Sequence, residues 1–248
     1  MHYKFIKKII GILGYKLIDK NLVKNERIIS NYTHLTLNKI LANLFDDKKI
    51  SSIIQVGSND GVRFDNLNYY IKKFIPSTIF VEPIKSNFES LKKNYINHKN
   101  FIFENSAISV NNEIKHLFKV KDSSLHLYDD HVLGITSFNR NHLIKHGVSK
   151  NHITKETVNS ISINELLVKY SIKNFDLLYI DTEGYDANIV MDFLNNSTIR
   201  PIILFEYIHS MNQSLNNTLE LLKKNYYVIF KVEENIFCFP EKNKPRIF

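Results

Sequence analysis

The chain has very little cysteine, no tryptophan and no low-complexity segment. Cys238 is its one cysteine, so an intramolecular disulfide framework is excluded and a reducing compartment is indicated. No Gly/Ser tract or internal repeat divides the 248 residues, and hydrophobic residues make up 44% of them, which is enough for a real core. We therefore predict one folded domain over residues 51–248, preceded by a helical extension over residues 1–50.

The start of the chain also lacks an apolar run that could span a bilayer. Residues 1–20 place five lysines among apolar side chains and predict a basic amphipathic helix, but the uncharged stretch at 9–15 is too short to cross a membrane. The segment has no small-residue cleavage site of a secretory signal. Two roles stay open: peripheral contact with anionic lipid at the inner face of the membrane, or packing against the domain. We expect a cytoplasmic protein.

A short apolar run that stops at a glycine-bounded polar turn is the first strong local signal. The β-branched residues of 53–56 predict a strand that is covered on both faces, and Gly57 and Gly61 bound the turn that follows. Glycine lets a backbone approach a ligand closely and tolerates positive φ. The pattern therefore predicts either a ligand-binding loop or an ordinary strand-to-helix turn.

The next predicted strand, residues 77–82, ends in an acid. Glu82 follows Gly57 by 25 residues and is followed at once by Pro83. In dinucleotide-type folds a carboxylate at this strand tip, about 20 residues beyond the glycine loop, accepts hydrogen bonds from ribose hydroxyls. The two linked features favour a ligand loop over a plain turn.

Strands and helices continue to alternate on both sides of a break. A covering helix is predicted at 35–45 and crossover helices at 66–74 and after Ser86, which forms a capping-box pattern with Glu89. The remaining predicted elements are strands at 101–103, 175–180 and 202–205, helices at 187–194 and 215–224, and an antiparallel hairpin of 226–232 with 236–239. Between about 108 and 162 the rhythm breaks, with strands of a different orientation expected at 114–120 and 156–163.

Within this break, the segment 121–152 contains five of the ten histidines. His142 and His146 have the i, i+4 spacing of a helical metal pair, but Leu143 stands where a zinc-protease helix has its glutamate. We interpret the segment as an insertion that covers the substrate, and we predict no metal site.

The polar residues gather where the parallel strands should end. The carboxyl ends of an open α/β sheet form its ligand site, and here they carry Gly57, Glu82, Asn105, Asp181 and Glu206. A nicotinamide enzyme would need Gly-x-Gly-x-x-Gly. The loop instead reads Gly-x-x-x-Gly and contains an acid, Asp60, which would repel a pyrophosphate but suits the ammonium or sulfonium group of S-adenosylmethionine.

The chain resembles the FkbM-type family of S-adenosylmethionine-dependent methyltransferases. The resemblance covers about residues 53–209 and rests on four segments: Val56–Gly61, Val81–Pro83, Asn105–Ala107 and, most specifically, Asp176–Tyr185. It implies a Rossmann-like α/β fold with a mostly parallel seven-stranded sheet, an antiparallel last strand and helices on both faces. It also implies O-methylation of a sugar, glycan or related natural product. The cofactor-binding residues that it implies are Gln55, Gly57, Ser58, Asn59, Asp60, Gly61, Glu82, Pro83, Asn105, Ser106, Ala107 and Asp181.

Two positions depart from the family pattern. Gln55 stands where the family usually has an aspartate, so we expect the contact to the amino-acid end of the cofactor to move, with Asp60 as the candidate. Asp186 replaces the usual glutamate and keeps the same charge.

Methyl transfer to a hydroxyl calls for a group that takes the hydroxyl proton. The candidates are His209, whose ordinary pKa is suited to this task, and the carboxylates Asp181, Glu183 and Glu206. We predict Asp181, Glu183 and His209 as the catalytic residues, with helix-start capping as the alternative for the acids. The same acids could hold a divalent cation, which we do not predict.

Two other functions stay open. The net charge of +8 suits an anionic partner and favours a nucleic-acid methyltransferase. Two observations argue against a nucleic-acid substrate. The segment after the fourth strand, residues 181–184, lacks the Asn/Asp-Pro-Pro-aromatic motif that binds a flipped base, and the acidic residues of this segment would repel phosphate. The second alternative is a non-catalytic scaffold that binds cofactor or membrane, and Gly57, Gly61 and Glu82 argue against it.

Overall fold

The computed structural model describes residues 35–110, 113–129, 132 and 134–241. The chain divides into two compact units, Met1–Thr36 and Leu37–Phe248. The amphipathic helix predicted for residues 1–20 lies outside the described residues. Among the residues that are described, no helix has the length and apolar character needed to cross a membrane.

The second unit is built on a seven-stranded, mostly parallel sheet, as predicted. Its strands are β1 (Ser52–Val56), β2 (Ser77–Val81), β3 (Phe101–Glu104), β8 (Leu177–Ile180), β9 (Ile202–Glu206), β10 (Tyr227–Val232) and β11 (Asn235–Pro240), in the spatial order β10-β11-β9-β8-β1-β2-β3. β1 lies inside the sheet and pairs in parallel with both β2 and β8. The chain therefore reverses its direction of strand addition at β1, and such switch points are where open α/β sheets bind ligands.

The last strand, β11, enters the sheet between two strands that precede it in sequence. It is antiparallel to β9 on one side and to β10 on the other, so the predicted hairpin of β10 and β11 is present but β11 is an interior strand. Its six residues read as an almost continuous apolar run, because both faces are covered.

Period-2 alternation along the strands divides the core into two layers. On one face Ile53, Phe80 and Tyr179 pack with α1 (Leu37–Asp46), α2 (Asn68–Phe74) and α3 (Lys85–Asn94). On the other, Ile54, Val81 and Phe205 pack with α5 (Ile163–Lys169), α6 (Asp186–Asn196) and α7 (Asn212–Lys224). Helices on both faces explain why strands such as β8 are buried along their whole length.

The break in the alternation forms two small sheets outside the main one. β5 (Lys115–Val120) and β6 (Ile153–Val158) form an antiparallel pair, and β4 (Ala107–Ile108) pairs with β7 (Ser160–Ile161). Between β5 and β6 lie two 3-10 turns, Asp122–Leu127 and Lys150–His152, and the helix α4 (Arg140–Lys145). This insertion has an apolar cluster of its own, consisting of Val120, Val132, Ile135, Leu143, Val148 and Ile153. The expectation of strands in a different orientation is confirmed.

Two local predictions were wrong for the same reason. The predicted capping box at Ser86 is absent, because the N-cap is Ile84, two residues earlier, and Ser86 lies inside α3. A complete capping box forms instead between Ser162 and Glu165, which starts α5 in a segment predicted to be strand up to residue 163. In both cases a serine–glutamate spacing was the relevant signal, and only the surrounding fold determines which spacing starts a helix.

Candidate active site

A cavity of ≈ 260 Å³ lies at the carboxyl ends of β1, β2, β8 and β9. Open α/β sheets bind their ligands at this edge. The predicted site residues on its wall are Gln55, Gly57, Ser58, Asn59, Glu82, Pro83, Ser106, Ala107, Asp181 and Glu183. Asp60, Gly61, Asn105 and His209 are not part of this wall.

Gly57 joins the glycine loop to the neighbouring strand β8. Its φ is +79°, and a Cβ at this position would lie 1.8 Å from the carbonyl oxygen of Asp181. The N–H groups of Gly57 and Ser58 both donate to the carbonyl oxygen of Val81, at 3.0 and 3.1 Å. The glycine is therefore required by the approach of protein backbone, before any ligand is considered.

Asp60 and Gly61 stabilise the loop from within. The Asp60 carboxylate accepts hydrogen bonds from the N–H groups of Val62 and Arg63 and pairs with Arg63 Nε at 2.7 Å. Burial would raise the pKa of Asp60, but these hydrogen bonds outweigh it and the pKa is lowered. A Cβ on Gly61 would lie 2.5 Å from the Tyr95 ring, so this glycine allows α3 to pack against the loop.

Glu82 points into the cavity from the tip of β2 and is only 4% exposed. One carboxylate oxygen accepts the N–H of Asn59 at 2.9 Å, and the other accepts the N–H of Ile84 at 2.8 Å. Burial raises the pKa of Glu82 to about 7, although both backbone hydrogen bonds oppose the shift. A carboxylate has about four acceptor positions, so Glu82 retains capacity for two ligand hydroxyls.

Gln55 and Asp65 place two buried acceptor atoms without a donor at the same cavity. The Gln55 side chain lies near the Asp65 carboxyl group, and one Asp65 oxygen accepts the N–H of Leu67 at 2.8 Å. Gln55 Oε1 and Asp65 Oδ2 are buried and have no partner among the described residues. Burial raises the pKa of Asp65 to about 6. Unsatisfied buried acceptors are rare in folded proteins, and here they mark the place where a ligand would supply donors.

The segment after β3 supports the cavity wall through side chains that are already hydrogen-bonded. Asn105 donates to the carbonyl oxygens of Glu82 and Pro83, at 2.8 and 3.1 Å, which fixes the β2 tip. Ser106 donates to Glu104 at 2.6 Å, and Glu104 also accepts from Lys169 and Tyr170. Ala107 also lines the cavity, next to Ile108.

Four carboxyl groups crowd the end of β8 and β9. Burial, followed by repulsion from Asp186 and Glu183, raises the pKa of Asp181 well above its ordinary range. Burial and the neighbouring acids likewise raise the pKa of Glu206 to about 9. Asp186 is fully buried, accepts hydrogen bonds from Thr182 and Gly184, and so holds the turn that presents the other acids. None of the four forms an ion pair with a lysine or arginine of the described ranges.

Glu183 connects this acidic rim to three histidines. It adopts a left-handed backbone conformation, φ 53°, which is uncommon outside glycine and directs its side chain towards the insertion. Its Oε2 lies 2.9 Å from His142 Nε2 and 3.7 Å from His209 Nε2. The His146 ring lies beside the rings of His142 and His209, with centroids 4.6 and 5.2 Å away and interplanar angles of 52° and 74°. Burial lowers the pKa of His209, and the neighbouring Glu183 carboxylate partly opposes this shift.

The family model described as Methyltransferase FkbM domain matches residues 55–229. The chain belongs to this family. The match includes the glycine loop, Glu82, the acidic rim and the insertion, so the site described above lies within the FkbM domain, and the predicted resemblance is confirmed. No curated protein sequence matches the chain.

Three solved structures that are similar to this FkbM domain are distant from it in sequence. An FkbM methyltransferase from Methylobacillus flagellatus is 10% identical with a TM-score of 0.47; the alignment covers 77% of this chain but only 44% of that one. An O-methyltransferase from Bacillus cereus in complex with SAH is 9% identical with a TM-score of 0.44, over 94% of this chain and 95% of that one. A methyltransferase from Geobacter sulfurreducens is 10% identical with a TM-score of 0.43, over 93% and 95%.

Two functional candidates of this FkbM domain were missed in the sequence. Asp65 lies ten residues after Gln55 in an irregular segment, where no periodic pattern indicates which side chain turns inward. The contact between His142 and Glu183 joins residues 41 apart. The i, i+4 pair of His142 and His146 was the available signal, but the sequence did not show that Glu183 and His209 would complete the group.

Proposed function

We propose that the protein transfers a methyl group from S-adenosylmethionine to a hydroxyl of a sugar, glycan or related natural product. One observation carries the donor part of this proposal. Glu82 and the unpaired acceptors Gln55 Oε1 and Asp65 Oδ2 face one cavity, so a ligand with a ribose diol and a cationic amine would satisfy them together. S-adenosylmethionine has both groups.

The cavity wall supplies a suitable group for each part of that donor. Glu82 would accept hydrogen bonds from the ribose hydroxyls. Gln55 and Asp65 would accept hydrogen bonds from the ammonium group, the role predicted above for Asp60. Ile108 and Leu117 give the wall near Ala107 an apolar surface, which suits the adenine. When bound, the donor supplies the electrophilic methyl group for an in-line displacement.

The acceptor side of the cavity is acidic. Asp181, Glu183, Glu206 and Glu234 all contribute to the wall. Carboxyl groups exchange hydrogen bonds readily with sugar hydroxyls but repel phosphates, so this surface favours a hydroxylated acceptor over nucleic acid despite the net positive charge of the chain.

Positioning should supply most of the rate enhancement. Alignment of acceptor oxygen, methyl carbon and sulfur is worth about 7–11 kcal/mol, whereas removal of the hydroxyl proton adds about 10²- to 10⁴-fold in rate. We assign the proton-accepting role to the rim cluster of Glu183, Glu206 and His209, in which Glu206 can accept a proton only when it is ionised, because its pKa is raised to about 9. Glu183 and Glu206 lie on the cavity wall and His209 is within 4 Å of both.

Calorimetric titration with S-adenosylmethionine and, separately, with NAD tests the donor. We expect binding of S-adenosylmethionine only, weakened in Glu82→Gln by about 1.5–3 kcal/mol, the usual value of hydrogen bonds to charged groups. Glu89→Gln is the matched control, because Glu89 is an exposed glutamate of α3 whose partner is Lys92. Tighter binding of NAD, or equal losses in the two variants, would contradict the assignment.

Transfer of an isotopically labelled methyl group tests the acceptor. Full-length protein and labelled S-adenosylmethionine are incubated in parallel reactions, each with one type of acceptor: a sugar or glycan, RNA or DNA. Label recovered as an alkali-stable ether on a sugar supports the proposal. Label that appears on nucleic acid would favour the alternative that the net charge allows.

A further inference from the structure

The acidic rim at the ends of β8 and β9 brings several nitrogen and oxygen atoms close together, and proton transfer would use only some of them. His142, His146 and His209 bring imidazole nitrogens within 4.8 Å of one another. Glu183, Glu206 and His209 form a second group of the same compactness. His209 belongs to both, and Glu183 is also 2.9 Å from His142, so the two groups are continuous.

The spacing of these atoms matches that of a four-coordinate metal site before the metal binds. A zinc ion about 2.0–2.1 Å from two nitrogens leaves those nitrogens ~3.3 Å apart in tetrahedral geometry, so separations up to 4.8 Å close with shifts of about 1 Å. Exposed acids alone often cluster without a metal, whereas this group adds three converging imidazoles. Imidazole is also a ligand that favours zinc-like cations over magnesium or calcium.

The ligands lie on the helix α4 and in the turns that follow β8 and β9. His142 is buried at 9% exposure on α4, and His146 follows it by one helical turn, so the two rings project from one face. Gly184 allows the backbone of the third histidine to approach closely, since a Cβ there would lie 2.9 Å from the carbonyl oxygen of His209. Ser137 of the insertion donates to the Glu183 carbonyl oxygen at 3.1 Å. The group therefore spans the contact between the insertion and the sheet edge.

The surrounding side chains are acidic and favour a cation. Asp181, Asp186 and Glu206 lie within the same rim as Glu183, and no lysine or arginine in the part of the chain that the structure describes forms an ion pair with any of them. A divalent cation would supply the positive partner that this group of carboxyl side chains lacks, where a hydroxylated acceptor is expected to enter.

We propose that His142, His146 and His209, together with Glu183 as the nearest carboxylate, bind one divalent transition-metal cation of the zinc class. The site lies beside the cavity and connects the insertion to the sheet edge. A cation there would also act as a Lewis acid towards an acceptor hydroxyl, a consequence that rests on the proposed function. The binding itself does not depend on methyl transfer.

Titration of the full-length, chelator-treated protein with Co²⁺ tests the site, because Co²⁺ replaces zinc and absorbs visible light when four-coordinate. We expect one ion per chain with visible absorption bands, and displacement by Zn²⁺. His146→Ala should weaken Co²⁺ binding by at least about 100-fold, beyond the 10- to 100-fold typical of outer-shell partners. His126→Ala is the matched control, since His126 is an exposed histidine of the same insertion.

The readout needs neither methyl donor nor acceptor, so failure of this proposal is distinct from failure of the methyltransferase assignment. If His146→Ala unfolds in a thermal melt, His209→Ala and His142→Ala replace it. The proposal is overturned if the wild-type protein gives no bands, or if Co²⁺ binds equally well to wild type and to each folded variant of the cluster.

Discussion

The backbone of Gly57 lies directly against the carbonyl group of Asp181, so that a single added methyl group at residue 57 would stand 1.8 Å from the oxygen. This contact joins the neighbouring strands β1 and β8 at the point where both enter the candidate site. It makes the first residue of the glycine loop a determinant of stability as well as of ligand access.

Gly57→Ala should therefore destabilise the protein through two effects. Alanine at φ +79° lowers the free energy of unfolding by about 1–2 kcal/mol, and the displacement of β1 away from β8 lowers it by about 1–3 kcal/mol more. Gly147→Ala is the control, because Gly147 has φ +85° but an added Cβ there would have no atom within 4 Å, so only the first cost applies. Urea denaturation measures both. Equal losses of unfolding free energy at the two glycines would show that the Asp181 backbone moves away from the added Cβ at little cost.

Asp65→Asn should weaken binding of S-adenosylmethionine. Removal of the charge leaves the ammonium group with neutral acceptors only, and we expect a loss of about 1.5–3 kcal/mol by calorimetry. Asp47→Asn, at an exposed aspartate paired with Lys49, should change nothing. Asp60→Asn separates the two candidates: a larger effect on donor affinity there than at Asp65, in a variant of unchanged stability, would return the role to Asp60.

The affinity for the donor should rise with pH through neutrality. Burial raises the pKa of Glu82 to about 7, so the folded protein holds a proton there that the unfolded chain, with a value of 4.5, has already released. Glu82 thus contributes stability that is present below about pH 4.5 and is lost as the pH rises towards 7. Ribose hydroxyls donate better to the ionised form, so the donor favours deprotonation.

For a single group of this pKa, the affinity should increase about tenfold between about pH 6 and pH 8. Calorimetry across this range measures the increase, and Glu82→Gln should abolish most of it. A profile that persists in Glu82→Gln would place the titrating group elsewhere, with Asp65, whose pKa is raised to about 6, as the next candidate.

His209→Ala should reduce turnover by about 10²- to 10⁴-fold and leave donor affinity nearly unchanged. The loss is expected whether His209 takes the hydroxyl proton or ligates the proposed cation, because both act on the acceptor. Asp181→Asn should reduce both quantities, since Asp181 stands at the end of β8 against the glycine loop. His116→Ala, an exposed histidine on β5, is the control. Wild-type turnover in His209→Ala would transfer the role to Glu183 or Glu206.

Local patterns predicted the strands, the order of the helices and the edge of the sheet where the site lies. Three features were recognisable in the sequence: the β-branched run at 53–56, the acid at Glu82 and the acidic segment after β8. A strand that is buried on both faces is continuously apolar, and polar residues follow the point where it ends. The family match confirms the relationship that these segments predicted.

What the sequence did not predict depends on contacts between distant residues. Gly57 was interpreted as making room for a ligand, yet its nearest neighbour is backbone from a strand more than 120 residues later. Asp65 turns inward from an irregular loop, and Glu183 meets His142 only because the insertion folds over the sheet edge. Composition and periodicity describe how each segment is buried, but they do not specify which segments meet.

The interior position of β11 determines the order in which the sheet can be completed. β9 and β10 emerge from the ribosome before residues 235–240, and neither can pair with the other in the native arrangement, because β11 lies between them. Until β11 is made, the apolar strand Ile202–Glu206 presents an unpaired edge, a feature that recruits other chains into aggregates. Newly made chains of this protein should therefore be most prone to aggregation, and most dependent on chaperones, until β11 has been synthesised.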